Sequence, residues 1–383
     1  MPHNGVMAPA AGRHAPCARL GGLVASGLDA VTSELSALDT TGRWAVLLPF
    51  AGRPVLARFD RWAPGPPEDV AGAWEGPIAW SSSMGRQAYV DAVEVVREHI
   101  AAGDVYQANV CRVMRADLPD AARSDIGGLH ALLDRGNPAP FSGMLRLPDH
   151  GIHVATASPE LFLRSVPSTS GGDEGYLESG PIKGTGRTPQ DLTEKDRAEN
   201  VMIVDLVRND LSRVSVPGTV SVPDLLALEE HPGLVHLVSR VRGRLTPAAT
   251  WPEIMAATFP PGSVTGAPKI AALGIIDEVE PVSREVYCGA IGWVDADRGT
   301  AELAVSIRTF WHDGETLKFG TGAGITWGSD AQREWEETEL KAARLIALAS
   351  GCWPSADDPP TTGASTLEPS LARVGSAETR SPA

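Results

Sequence analysis

The chain has 383 residues, 43% of them hydrophobic, and carries a formal net charge of −15. Such a length allows one large domain or two to three smaller ones, and the apolar fraction supports a sizeable core. The acidic balance argues against nucleic acid or an anionic membrane surface as the main partner, and no run reaches the ~18 apolar residues that a membrane span needs.

The N-terminus, MPHNGVMAPAAGRHAPCARLGG, has no continuous apolar h-region of a signal peptide. The four cysteines, Cys17, Cys111, Cys288 and Cys352, match neither a zinc ribbon nor a disulfide framework. Reduced thiols in a cytoplasmic protein are therefore expected. Residues 1–20, rich in Ala, Pro and Gly, are expected to be disordered, as is the tail 352–383. Residues 21–351 show no repeat and no long linker, so one folded unit is expected.

RWAVLLPF reads as the first clear strand. RQAYVDAVEVVREHIAAGD follows, with Tyr89, Val93, Val96 and Ile100 at helical spacing and Gly103 placed to end the helix. IHVATAS is a second strand. ESGPIKGTGRT then sets a lone lysine, Lys183, among glycines and a proline. It is either a solvated loop residue or an amine brought to a site by backbone that can pack close to a ligand.

TEKDRAENVMIVDLVRNDLSRV predicts a helix with Glu199 beside its apolar run. Asp196, Arg197, Asp205, Arg208, Asp210 and Arg213 are expected to pair at a packed interface, Glu199 excepted. In FPPGSVTGAPKIAALGIIDEVE a glycine-containing loop enters a helix. Pro268 suits the first turn, with Thr265 or Gly266 as cap. Exposed N–H groups there, with Lys269, suit a carboxylate or phosphate. The spacing is not that of a Walker P-loop.

ELAVSIRTF reads as a buried strand carrying Arg308, which then needs an anionic partner. FGTGAGITWGSD places Gly320, Gly322 and Gly324 in a strand-to-turn setting that can present consecutive N–H donors. SDAQREWEETELKAARLIALAS predicts a helix with a Ser329/Gln332 capping box and a buried stripe through Ala331, Trp335, Thr338, Ala342, Leu345 and Ala349. Glu334 and Glu337 share a face, and Glu336 and Glu339 point more to solvent. Two such carboxylates can hold a hard divalent cation, or simply form an acidic first turn that favours the helix dipole. Strands and helices do not alternate one to one, which favours α+β. The inventory suits a small, multiply anionic substrate held partly by a divalent metal.

The same segments resemble the chorismate-binding enzymes, a family that includes anthranilate synthase large subunits, aminodeoxychorismate synthase component I and the isochorismate and salicylate synthases. GDVYQANVCR, SPELFL, PIKGT, KDRAENVMIVDLVRNDL, HLVSRV, PGSVTGAPK, YCGAIGW, SIRTF, GAGI and EWEETELK carry the likeness, across residues 103–347. It implies a large α+β domain with two opposed antiparallel sheets, helices outside, and a site between the sheets. It also implies Mg²⁺ at Glu199, Glu334 and Glu337. The implied carboxylate-binding set is Thr265, Lys269, Arg308 and the backbone of Gly322 and Gly324, with Thr185 of PIKGT also on the substrate. Glu160 is the implied general acid, and His236 lies near the ring or only orients its neighbours.

Two positions separate the branches. PIKGT, with Lys183, is similar to the aminodeoxychorismate branch, whereas anthranilate synthases typically carry alanine there. Gln107 stands where the water-adding isochorismate enzymes have a general-base lysine, and an amide has no usable basic site. The resemblance thus implies conversion of chorismate and ammonia to 4-amino-4-deoxychorismate through a Lys183 adduct, toward para-aminobenzoate and folate. A separate glutamine amidotransferase would supply the ammonia. The alternative is anthranilate synthase component I or another chorismate aminase. Arg187 stands one place earlier than the family's usual arginine, and Trp293 stands where tyrosine is common.

Overall fold

The computed structural model describes residues 15–168, 175–186, 188–231 and 234–352. The chain opens with β1 (Cys17–Leu20), β2 (Leu23–Thr32), β3 (Arg43–Leu48), β4 (Val55–Pro64) and the two-residue β5 (Ser81–Ser82). Helix α1 (Arg86–Ala102) leads to β6 (Gln107–Asp117), α2 (Ile126–Gly136), β7 (Phe141–Leu147), β8 (Ile152–Ser158), β9 (Leu161–Val166), β10 (Tyr176–Gly180) and β11 (Ile182–Gly186). Next come α3 (Glu194–Ser212), β12 (Ser221–His231), β13 (Leu234–Gly243), α4 (Trp251–Thr258), β14 (Gly266–Ala267) and α5 (Lys269–Val279). The chain continues through β15 (Ala290–Asp295), β16 (Thr300–Val305), β17 (Thr309–His312), β18 (Thr316–Thr326) and α6 (Ala331–Ala349).

All strand pairs are antiparallel and join into one sheet. From one end the ladder runs β6, β18, β17, β8, β7, β1, β2, β4 and β3. It continues through β15, β16, β9, β10 and β13, which carries β12 and β11. This is the α+β architecture expected, with the two opposed sheets realised as halves of one curled ladder. The two ends of the ladder meet at Ser263. Lys183 from β11 donates to the Ser263 carbonyl at 3.0 Å, and Asn109 from β6 reaches the same oxygen at 3.5 Å.

Helices cover the outside by burying apolar stripes. Helix α1 buries Tyr89, Ala92, Val93 and Val96 and ends at Gly103, whose φ of 86° is the left-handed conformation that glycine adopts without strain. Helix α3 packs Ile203, Val204, Val207 and Leu211 into the main core. Its N-cap is Thr193, in a reciprocal capping box with Asp196. Among the described residues, no helix is long and apolar enough to cross a membrane.

Several expectations change in the fold. Residues 17–20, inside the segment expected to be disordered, form β1, because both their edges are paired, by β2 and β7. The cap of α6 is Asp330, whose side chain accepts from the Arg333 N–H at 2.9 Å; Ser329 instead accepts from the Thr326 N–H at 3.1 Å. Glu339 does not face solvent alone, since it takes the buried Arg112 guanidinium. The charges of α3 do not form one packed network. Asp205 and Arg208 pair on the exposed face, and Asp210 is the buried member, paired to Lys269 of α5.

ELAVSIRTF is not one strand. The chain leaves β16 at Val305, crosses to the other half of the sheet and resumes as β17, so Arg308 lies in the crossover with φ 51°. Gly320, Gly322 and Gly324 sit inside β18, paired with β6 over its whole length, and the turn starts only after Thr326. Close packing of neighbouring side chains explains these glycines better than a nest does. A Cβ on Gly320 would lie 2.0 Å from the Tyr287 ring, and one on Gly324 would lie 2.3 Å from Gln107 Nε2. Helix α5 is capped by Pro268, not by Thr265 or Gly266, and Lys269 is its first residue. Of the expected tail 352–383, residues 353–383 lie outside the described residues, as do the tip of SVPSTSGGDEGY and Arg187.

Candidate active site

Lys183 owes its position to an irregularity in β11. Ile182 pairs with Val238 and Thr185 with His236, so β11 carries one residue more than β13 over the same span. That bulge turns the strand and re-aims the side chain beside it. Gly184 follows with φ 80°, and a Cβ there would lie 2.8 Å from the Asp196 side chain. The permissive sequence around the lysine therefore builds a bulge against α3, which answers whether it is a solvated loop.

Glu160, in the corner between β8 and β9, is 4% exposed. Burial pushes its carboxyl up to about 7, against the opposing pull of the Ser263 hydroxyl, Lys183, the Ile182 N–H and Arg308. A carboxyl balanced there is about half protonated at neutral pH, which suits proton transfer in either direction. The Arg308 guanidinium makes no hydrogen bond or ion pair among the described side chains and faces Glu160 across the site. Burial lowers its pKa and Glu160 raises it. A half-buried cation in that state is complementary to an anionic ligand.

Gln107 opens β6 and is fully buried; its Oε1 has no hydrogen-bond partner among the described residues. An orphaned amide acceptor beside Gly324 marks a place where a ligand donor fits. Gly322 is paired opposite Cys111, yet its carbonyl accepts from Lys341 at 3.1 Å. In an antiparallel strand the N–H and C=O of one residue point to the same side, so the Gly322 and Gly324 N–H groups point away from β6.

The acidic residues meet from two helices. Glu334 of α6 is 3% exposed, and its Oε1 accepts from Lys195 of α3 at 2.8 Å. The same ammonium lies 3.6 Å from Glu199 Oε1. Burial pushes the Glu199 carboxyl up, against the pull of Lys183 and Lys195. Glu337 pairs with Lys341 at 2.6 Å. Burial acts to raise its carboxyl, but Lys341, Lys195 and Lys183 together hold it below the ordinary range. The donor set is carboxylate oxygen alone, the chemistry a hard divalent cation takes. Lys195 already stands between two of the carboxylates as a cation. Among the described residues no three acidic, His or Cys side chains converge tightly enough to hold a metal as they stand.

The structure thus brings together Lys183, Glu160, Arg308, Gln107, Gly322, Gly324, Glu199, Glu334 and Glu337. His236 is buried on β13 directly opposite Thr185. Thr265 is fully buried, with its hydroxyl donating to the Pro261 and Gly262 carbonyls. Lys269 is turned away from an anion role, with Nζ 2.7 Å from Asp210 Oδ2 and 3.0 Å from the Thr258 carbonyl. Sequence reasoning missed Ser263, Lys195 and Lys341. The two lysines carried a signal, since each stands four residues from a site glutamate, at the spacing of helical neighbours. Ser263 carried none, because a loop serine that offers its carbonyl to Lys183 and its hydroxyl to Glu160 looks like any other.

A family model described as chorismate binding enzyme matches residues 57–347. The chain is 38% identical over 280 residues to aminodeoxychorismate synthase component 1 of Salmonella typhimurium, covering 70% of this chain and 59% of that protein. It is 40% identical over 279 residues to anthranilate synthase component 1 1 of Haloarcula marismortui, covering 70% of this chain and 54% of that protein. It thus spans little more than half the length of these relatives. In fold it is similar to anthranilate synthase component I from Streptococcus pneumoniae, with a TM-score of 0.68 at 24% identity over 82% of this chain and 84% of that one. The ladder, the bulged lysine and the helix-borne glutamates lie within the matched span, and the chain belongs to the chorismate-binding enzyme family.

Proposed function

We propose that this chain aminates chorismate to 4-amino-4-deoxychorismate, using ammonia delivered by a separate glutamine amidotransferase. One observation carries the proposal. Lys183 is held in a β-bulge by the Ser263 carbonyl, within electrostatic reach of both Glu160 and Glu199. The position of a lysine beside a carboxyl that can give a proton supports a reacting role for it.

Lys183 attacks C2 of the ring as the free amine. The C–N bond forms, both conjugated ring double bonds shift by one position, and the C4–O bond breaks as Glu160 gives its proton, so the hydroxyl leaves as water. The new ammonium returns a proton to Glu160. Ammonia bonds to C4, both double bonds shift back, and the C2–N bond to Lys183 breaks as its nitrogen takes a proton from the new C4 ammonium, freeing the amine. The balance is chorismate plus ammonia giving 4-amino-4-deoxychorismate plus water. Arg308 and the Gly322 and Gly324 N–H groups suit the substrate carboxylates. Held by Glu199, Glu334 and Glu337, Mg²⁺ would neutralise a ring carboxylate. Gln107 cannot act as a base, so activation of water at that position is disfavoured.

The test is to incubate the protein with chorismate, Mg²⁺ and ammonium and to identify the product by mass. 4-Amino-4-deoxychorismate is expected, with Lys183→Ala slowing its formation by about 100-fold or more. Anthranilate alone would reject the assignment. The Haloarcula relative makes anthranilate the second reading, and there Lys183 would only bind an anion. Wild-type turnover in Lys183→Ala would count against a covalent role.

A further inference from the structure

We propose that Lys195 is a resident counter-cation that a divalent ion must displace before the acidic trio can bind it. The proposal rests on the metal role above.

Lys195 is the side chain that joins the two acid-bearing helices at the site. Its ammonium bridges Glu334 of α6 at 2.8 Å and Glu199 of α3 at 3.6 Å, with Ser329 Oγ at 3.4 Å. Glu199 and Glu334 are nearly out of water, with side chains 12% and 4% exposed. Two carboxylates so placed repel each other unless a cation lies between them. The ammonium fills that role with one positive charge and occupies the space where a shared divalent ion would sit.

Lys195 is also able to leave. Its own side chain is 40% exposed, and its stem rises from the first turn of α3, so the head can swing into water while the two glutamates stay packed. Lys341 differs, because it pairs with Glu337 inside one helix, both half exposed, and bridges nothing between helices. The consequence is a cost built into cation binding. Part of the attraction of the carboxylates for a divalent ion is spent releasing the lysine, so apparent affinity falls by the fraction of protein in the lysine-bound state. The same competition tunes the site against monovalent cations, which bring no more charge than the ammonium they would replace.

The experiment is to titrate the full chain with Mn²⁺, reading free ion by electron paramagnetic resonance, for wild type, Lys195→Met, Lys195→Gln and Lys195→Arg. The neutral variants are expected to bind Mn²⁺ about five-fold tighter or more. Lys195→Arg keeps the charge and is expected to stay within about two-fold of wild type. In chelator the neutral variants should melt lower than wild type, and added Mn²⁺ should raise their melting temperature by more than it raises that of wild type. Equal or weaker Mn²⁺ binding in both neutral variants, with wild type binding normally, overturns the displacement proposal and leaves the metal role standing. Absence of binding in all four proteins overturns both.

Discussion

Glu160 shows how one residue's surroundings become a measurable property. Its carboxyl rises to about 7 in the folded chain from an ordinary 4.5, chiefly by burial. The folded state therefore holds the proton more tightly than the unfolded state. The contribution is fully present below pH about 4.5 and is lost as pH rises through about 7. Wild-type stability relative to Glu160→Gln should fall by on the order of 3 kcal/mol between pH 4 and 8, read from paired denaturant melts. A difference that does not vary with pH would mean that the carboxyl is solvated after all. Lys183 stood out as a candidate because PIKGT sets a lone lysine among glycines and a proline, and Glu160 through the family likeness of SPELFL alone. Their common partner did not stand out, since the carbonyl and hydroxyl of a loop serine, Ser263, look like any other.

Elements were read well where burial repeats with the helical period. Helix α1 and its Gly103 terminus came directly from spacing. The errors lie where chain direction changes for reasons held elsewhere in the sheet: the split of ELAVSIRTF, and the glycines of β18. Those glycines give a contrast that can be measured. Gly324→Ala places a methyl 2.3 Å from the buried Gln107 amide, so it should destabilise by about 1–3 kcal/mol and weaken chorismate binding. Gly274→Ala, inside α5 with nothing beyond its own helix and chain neighbours within 4 Å of the new Cβ, should instead be neutral or stabilise by about 0.4–1 kcal/mol. Thermal melts and a chorismate titration on both variants check the pair. Equal effects would show that close packing at Gly324 is not what the strand requires.

Across the whole molecule, the site exists because the two ends of one antiparallel ladder return to each other. A ligand that touches both ends binds the folded state alone and must stabilise it. Chorismate at about 100 times its Kd should add about 2.7 kcal/mol, which is roughly 4 °C of melting temperature for a chain this long. Scanning fluorimetry checks this, and an unchanged melt at high chorismate would count against binding to the folded chain. The amino-acid sequence by itself determined the family, the α+β class, the helices with strong periodicity and a set of candidate site residues, because these depend on residue type and local spacing. Only the tertiary structure decided which partner each charge takes. Lys269 turned to Asp210, 59 residues away in the chain, and Lys195 reached Glu334, 139 residues away. Local pattern carries no information about such distances, and in a buried site the energy of a charge is set almost wholly by what lies a few ångströms from it.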